Sequence, residues 1–280
     1  GDDPVTQLVI FHTLFNALGV VLMGLLSRWL VPFLLSRFAS TEDNAAHPRY
    51  LDRNVATVPQ LALQALRREL ARVAHLALEL GDLACRHLQQ QAPADAVQFT
   101  RRLEVIEKLQ AEIGRFVGEV SRRQVHRDQA EQLPELLRIA NYYDTLARVM
   151  YHVALSGQAG PRVLSSPNRD EQTDLLAAVA PVLVSAQAFF GAADPDCGEA
   201  PENIALRAEE ARDSFEDTYQ RSKADLLQAG AGGTDVNAMY DWLACLSDLR
   251  RAVAQGFKAS QRFASLPELK EPALDSESED

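Results

Sequence analysis

The sequence predicts an all-α protein, one apolar membrane helix followed by a bundle of two three-helix units. Three observations carry that expectation. From Pro4 to Ser27 there are 24 residues without Asp, Glu, Lys or Arg, and about 20 apolar residues suffice to cross a hydrocarbon core roughly 30 Å thick. Beyond Thr57, apolar residues recur at spacings of three and four over stretches much longer than a strand. No alternating run bounded by hairpin turns occurs in the 280 residues.

The first helix starts on the acidic "GDDP", whereas a signal peptide starts basic and has a shorter apolar core. Its dense run "LGVVLMGLL" leads to Arg28 and Trp29, which suit a membrane interface. The next ten residues, "WLVPFLLSRF", contain Pro32 and are too short to span again, so residues 1–38 read as one span with an interfacial continuation. Asp2 and Asp3 precede the span while Arg28 and Arg37 follow it, which places the C-terminal side in the cytoplasm. Because the chain opens on Gly1 and its first methionine is Met23, it reads as a piece of a longer one. Residues 39–56, opening on "ASTEDNAAHPRY", read as a linker.

Residues 57–156 form the first predicted three-helix unit. Its first helix, to about Gln90, opens on a capping-box spacing of Thr57 and Gln60 with Pro59 in the first turn, and turns Leu63, Leu66, Leu70, Val73, Ala77, Leu80 and Ala84 inward. A second helix, about Pro93 to Arg122, buries Leu103, Ile106, Ile113, Phe116 and Val120. The third, about Val125 to Ser156, buries Leu136, Ala140, Tyr143, Ala147 and Met150 and is expected to break at Pro134. A turn-rich stretch from Gly157 to Asn168 precedes the second unit, residues 169–263, with helices at about 169–190 (kinked at Pro181), 201–228 and 235–263. Residues 264–280 end in "DSESED", an acidic tail expected to be disordered.

Composition excludes several functions. With 28 Lys plus Arg against 39 Asp plus Glu, the net charge of -11 disfavours nucleic acid as a partner. Cys85, Cys197 and Cys245 are far apart, so no disulfide framework or zinc site is expected, and a reducing compartment fits. His75 and Glu79 lack the HExxH arrangement, "AGAGGT" lacks the lysine of a phosphate-binding loop, and in "DPDCGE" Gly198 comes one place too early for a calcium loop. No nucleophile and base stand together, so an enzyme is not expected. Glu104, Glu107 and Glu112 share a helix face, as do Glu209, Glu210, Asp213, Glu216 and Asp217. Such faces could hold a cation between helices, but Arg101, Arg102, Lys108 and Arg212 balance them, and the reading is a solvated acidic surface.

The polar residues of the apolar run, His12, Thr13 and Asn16 in "FHTLFN", are candidates for a transport path or for helix packing. His12, Asn16, Gly19 and Met23 share a helical face and would turn together toward other helices. With one span in this chain, those helices belong to a missing N-terminal part or to a partner subunit.

"FHTLFNALGVVL", the exit at "RWLVPFLL", "PRYLD" (Pro48 to Asp52), "VPQLALQALRRELARVAHLALEL" and, later, "LSDLRR" (Leu246 to Arg251) follow one another in an order that resembles the C-terminal part of bacterial sodium-dependent phosphate cotransporters with a PhoU-like cytoplasmic domain. The resemblance implies a symporter of the inner membrane that moves inorganic phosphate inward with sodium ions and holds no tightly bound cofactor. It puts His12, Thr13 and Asn16 near the transport region, although the family's Gln-Ser-Ser motif is absent from this chain. It also implies acidic metal clusters in the PhoU-like part, matched partly by Glu104, Glu107 and Asp144. Arg148 stands where the second carboxylate of that last cluster would fall, and a cation there opposes metal binding. A different reading of the same features is a membrane-tethered PhoU-like adaptor that regulates phosphate uptake without transporting.

Overall fold

The computed structural model describes residues 7–8, 11–20, 45–52, 54–90, 95–123, 127–156, 169–191, 201–231 and 236–267. Half of the span expected from Pro4 to Ser27, its interfacial continuation, the three turn-rich connections of the second half and most of the acidic tail lie outside them. Among the described residues the protein is all-α, without strands. It divides into two compact units, Gly1–Ala45 and Ala46–Asp280.

Among the described residues of the second unit, a 3-10 turn, Val55–Thr57, leads into seven helices. These are α1 (Pro59–Gln90), α2 (Ala96–Ser121), the single turn α3 (Arg127–Ala130), α4 (Gln132–Ser156), α5 (Arg169–Gly191), α6 (Pro201–Ala231) and α7 (Val236–Ala264). Helix α1 packs on α4, α4 on α7, α7 on α5 and α5 back on α1, a closed ring of four. Helix α2 lies against α1 and α4, and α6 lies against α5 and α7. The broadest contact in the molecule, α4 on α7, therefore joins the first three long helices to the last three.

Periodicity explains this packing. All seven inward positions predicted on α1 are buried, as are Ile106, Ile113, Phe116 and Val120 on α2 and all five on α4, while Leu103 is only half-buried. Each fully buried Leu, Ile or Phe contributes roughly 1.5–3 kcal/mol. Small residues set the spacing at the centre of the ring. A methyl group on Gly81 of α1 would come 3.2 Å from Leu183 Cδ1 of α5, and one on Gly256 of α7 would come 3.0 Å from Leu146 Cδ1 of α4.

One polar node is enclosed there. The Tyr143 hydroxyl of α4, fully buried, lies 3.3 Å from Ser260 Oγ of α7. Ser260 Oγ donates to the Gly256 carbonyl at 2.8 Å, and the Ala186 carbonyl of α5 is 3.4 Å away. The phenol keeps a partner, which a buried hydroxyl needs to avoid a desolvation cost of about 1–3 kcal/mol.

Three helix ends differ from the sequence expectation. Thr57 does not cap α1, because its hydroxyl donates back to the Asn54 carbonyl at 2.6 Å. Helix α1 starts instead at Pro59, a position where the absent N–H costs nothing, and the Val58 carbonyl accepts the Ala62 N–H. The start of α2 is set by Asp95, whose Oδ1 accepts from the N–H groups of Val97 and Gln98. The break expected at Pro134 falls earlier, at Glu131 between α3 and α4. Pro134 then occupies the first turn of α4, where the N–H has no intrahelical partner to lose.

Cys85 and Cys245 are both buried and free. Burial raises both thiols, Cys245 to about 12 against an ordinary 9.0, and it also raises the Tyr143 phenol above its ordinary 10.0. The folded state therefore holds these protons more tightly than the unfolded chain, and their contribution is complete below pH 9.0 and lost as pH rises toward 12. Chemical denaturation followed by circular dichroism is expected to show stability falling progressively above about pH 9. Unchanged stability up to pH 11 would show that these groups ionise without unfolding cost.

Candidate functional site

Residues 11–20 form a helix in the first unit. Leu8, Phe11, Leu14, Phe15, Leu18 and Val20 are between 63 and 74 % exposed, a density of bare apolar side chains that ordinary soluble surfaces avoid. The Phe11 and Phe15 rings stack 6.3 Å apart. His12 and Asn16, one turn apart, bond to each other, with Asn16 Nδ2 donating to His12 Nε2 at 3.1 Å. That bond requires the His12 tautomer protonated on Nδ1. Thr13 lies on the same helix, and the space beside Gly19 is open, with nothing within 4 Å of where a methyl group would stand. Met23 lies outside the described residues. No helix among the described residues is long and apolar enough to cross a membrane.

In the second unit, the acidic candidates meet around an arginine. Arg148 Nε donates to Asp144 Oδ2 at 2.9 Å, and Arg148 Nη1 lies 2.6 Å from Glu107 Oε1 of α2. Hydrogen bonding to Asp144, reinforced by the charges of Asp144 and Glu107, raises the guanidinium pKa above its usual value. Glu104, one turn before Glu107, is exposed. Two of the three acidic candidates are thus brought together, with a guanidinium between them that pins α2 to α4. Among the described residues, no group of three His, Cys, Asp or Glu side chains is placed to hold a metal ion. Asp144 Oδ1 is buried and has no hydrogen-bond partner among the described residues.

The best-satisfied buried charge is one that the motif reading did not single out. Glu69 of α1 is 0 % exposed. Its Oε2 accepts the backbone N–H groups of Arg49 (2.8 Å) and Tyr50 (3.0 Å), and its Oε1 accepts from Arg72 Nη1 at 2.7 Å. The same Arg72 nitrogen donates to the His47 carbonyl, and the Arg68 guanidinium lies over the Tyr50 ring at 6.0 Å. Residues 47–50, placed in a linker by the sequence, are therefore held against the third and fourth turns of α1. Two motifs distant in sequence, "PRYLD" and "LRREL", form one joint.

No family model, curated protein or solved structure matches this chain.

Glu69→Ala removes the acceptor for two N–H groups and one guanidinium, and a loss of about 2–4 kcal/mol is expected, against a smaller one for Glu69→Gln, which keeps one acceptor oxygen. Urea denaturation measures the loss, and limited proteolysis around residues 47–52 should accelerate in the Ala variant. Arg148→Ala leaves the Asp144 carboxylate buried beside Glu107 without a cation, and destabilisation by about 1–3 kcal/mol is expected. Adding Asp144→Asn should restore part of it in a double-mutant cycle, whereas strict additivity would show that the bridge contributes nothing.

Proposed function

We propose that this chain is the C-terminal part of a sodium:phosphate symporter that imports inorganic phosphate, with residues 1–38 contributing the last membrane helix and interfacial continuation. Residues 57–263 are then a PhoU-like regulatory domain of two three-helix units on the cytoplasmic side of the inner membrane. The observation that carries this reading is the joint at Glu69. The resemblance to sodium-dependent phosphate cotransporters rests partly on "PRYLD" and "LRREL" occurring in that order, and the joint supplies a physical reason for the two to occur together. The bare apolar helix 11–20 supports the membrane assignment, since lipid and neighbouring helices are the surroundings in which such a surface is stable. There the paired His12 and Asn16 form a polar face directed at helices of the same transporter, whose partners replace or extend their mutual bond.

Uptake of labelled phosphate by cells expressing the full-length gene product tests the proposal. Replacing external sodium by choline is expected to lower uptake at least tenfold. Uptake indifferent to sodium would overturn the symport reading.

A further inference from the structure

A surface pocket of about 690 Å³ lies between α4 and α7, lined by Tyr142, Lys258, Gln261, Arg262 and Ser265. Lys258, Gln261 and Arg262 fall at i, i+3 and i+4 on α7 and present one helical face, and Ser265 follows in the turn just past its end. Every one of the five side chains carries a hydrogen-bond donor, and none is a carboxylate, in a chain with 39 acidic residues against 28 basic ones. Lys258 and Arg262 are like charges one turn apart, an arrangement that is unfavourable by itself. Glu135 of α4 is the carboxylate at hand, and both of its oxygens are taken, by Arg262 Nη1 at 2.7 Å and by Arg138 Nη1 at 2.9 Å. Among the described residues Lys258 has no carboxylate partner. Three cations thus stand around one carboxylate, and two of them, Lys258 and Arg262, line the pocket. The dipole of α7 favours cations in its last turn, which accounts for Arg262, but it fades within that turn and does not reach Lys258, six residues before the end at Ala264.

We propose that this pocket binds a phosphorylated small molecule. Its phosphate monoester, close to dianionic at neutral pH, matches the unpaired Lys258 ammonium and the Arg262 guanidinium, which shares Glu135 with Arg138, and the Tyr142 hydroxyl and Gln261 amide are neutral donors, while the Ser265 hydroxyl already donates to the Arg262 carbonyl. The volume exceeds that of a bare oxyanion and falls within the roughly 300–1,000 Å³ of small-molecule sites, so the organic part lies along the half-buried Tyr142 ring. This assignment stands apart from the transport reading, because binding is measured on the purified chain and does not depend on uptake.

Isothermal titration of the purified 280-residue chain with AMP, glycerol 3-phosphate and inorganic phosphate tests it, with adenosine as the uncharged control and glycerophosphoglycerol as a soluble lipid-headgroup diester. At least one monoester is expected to bind, adenosine is not, and Lys258→Glu is expected to weaken binding at least tenfold while leaving the helical circular dichroism unchanged. Lys258 is exposed, so its replacement does not disturb the core. Absence of binding by both monoesters, equal binding by the Lys258→Glu chain, or binding confined to the diester would each overturn the proposal.

Discussion

The seam between α4 and α7 is the constraint on which the rest of the second unit depends. Three contacts fix it in antiparallel register: Arg262 with Glu135, Ser260 with Tyr143, and Gly256 with Leu146. They differ in kind, since the first is a half-exposed ion pair, the second an enclosed hydroxyl pair and the third a backbone approach that only glycine permits without displacing its neighbour. A slip of the seam by one turn would bring side chains other than glycine against Leu146 and leave the Tyr143 phenol buried without Ser260. Exclusion of alternatives, more than the strength of any single bond, makes the register unique. Once α4 and α7 are set, α1 and α5 complete the ring through the narrow approach of Gly81 to Leu183.

Two buried carboxylates, Glu69 and Asp144, show how differently the fold treats charge. At Glu69 both oxygens are filled, one by two backbone amides and the other by Arg72. A carboxylate satisfied in that way repays its desolvation and fixes the segment that supplies the amides. Asp144 has one oxygen on Arg148 and the other buried without a partner among the described residues. It holds α2 through an arginine whose side chain is 52 % exposed, so solvent screens much of the attraction. Glu69 is consequently the rigid anchor of the pair, and the Asp144 bridge is the weaker one.

The core was legible in the sequence because burial on a long helix is a local property, readable from spacing. Leu66, Leu70 and Val73, or Ala140, Tyr143 and Ala147, mark their own stripes. The same stripes held the signal for both buried carboxylates. Glu69 lies three residues after Leu66 and four before Val73, and Asp144 lies four after Ala140 and three before Ala147, so each stands on the inward face of its helix. What spacing could not disclose was the partner. The amides that satisfy Glu69 come from about 20 residues upstream, in a stretch whose composition reads as a linker. Helix ends were illegible for a related reason. Thr57 and Pro134 have the chemistry of a cap and a breaker, but the Asn54 carbonyl and the turn at Glu131, which decide their roles, appear only after the neighbouring backbone has folded.

Direction along the helices joins the anchor to the seam. Contacts of Arg67 with Gln132 and of Gly81 with Leu146 and Met150 keep a constant offset along the chain, so α1 and α4 run parallel, while α7 runs against both. The start of α1, the start of α4 and the end of α7 therefore share one end of the bundle. Arg67 ties all three, because one guanidinium nitrogen donates to Gln132 Oε1 and to the Pro267 carbonyl just beyond α7. Its burial is costly, since desolvation lowers its pKa and its Nε finds no partner, so the clasp exists at the expense of stability elsewhere. Glu69 follows Arg67 by two residues on α1, and Arg262 precedes Pro267 by five. The Glu69 joint on α1 and the end of α7 that carries Arg262 are thus held at one end of the bundle by a single guanidinium.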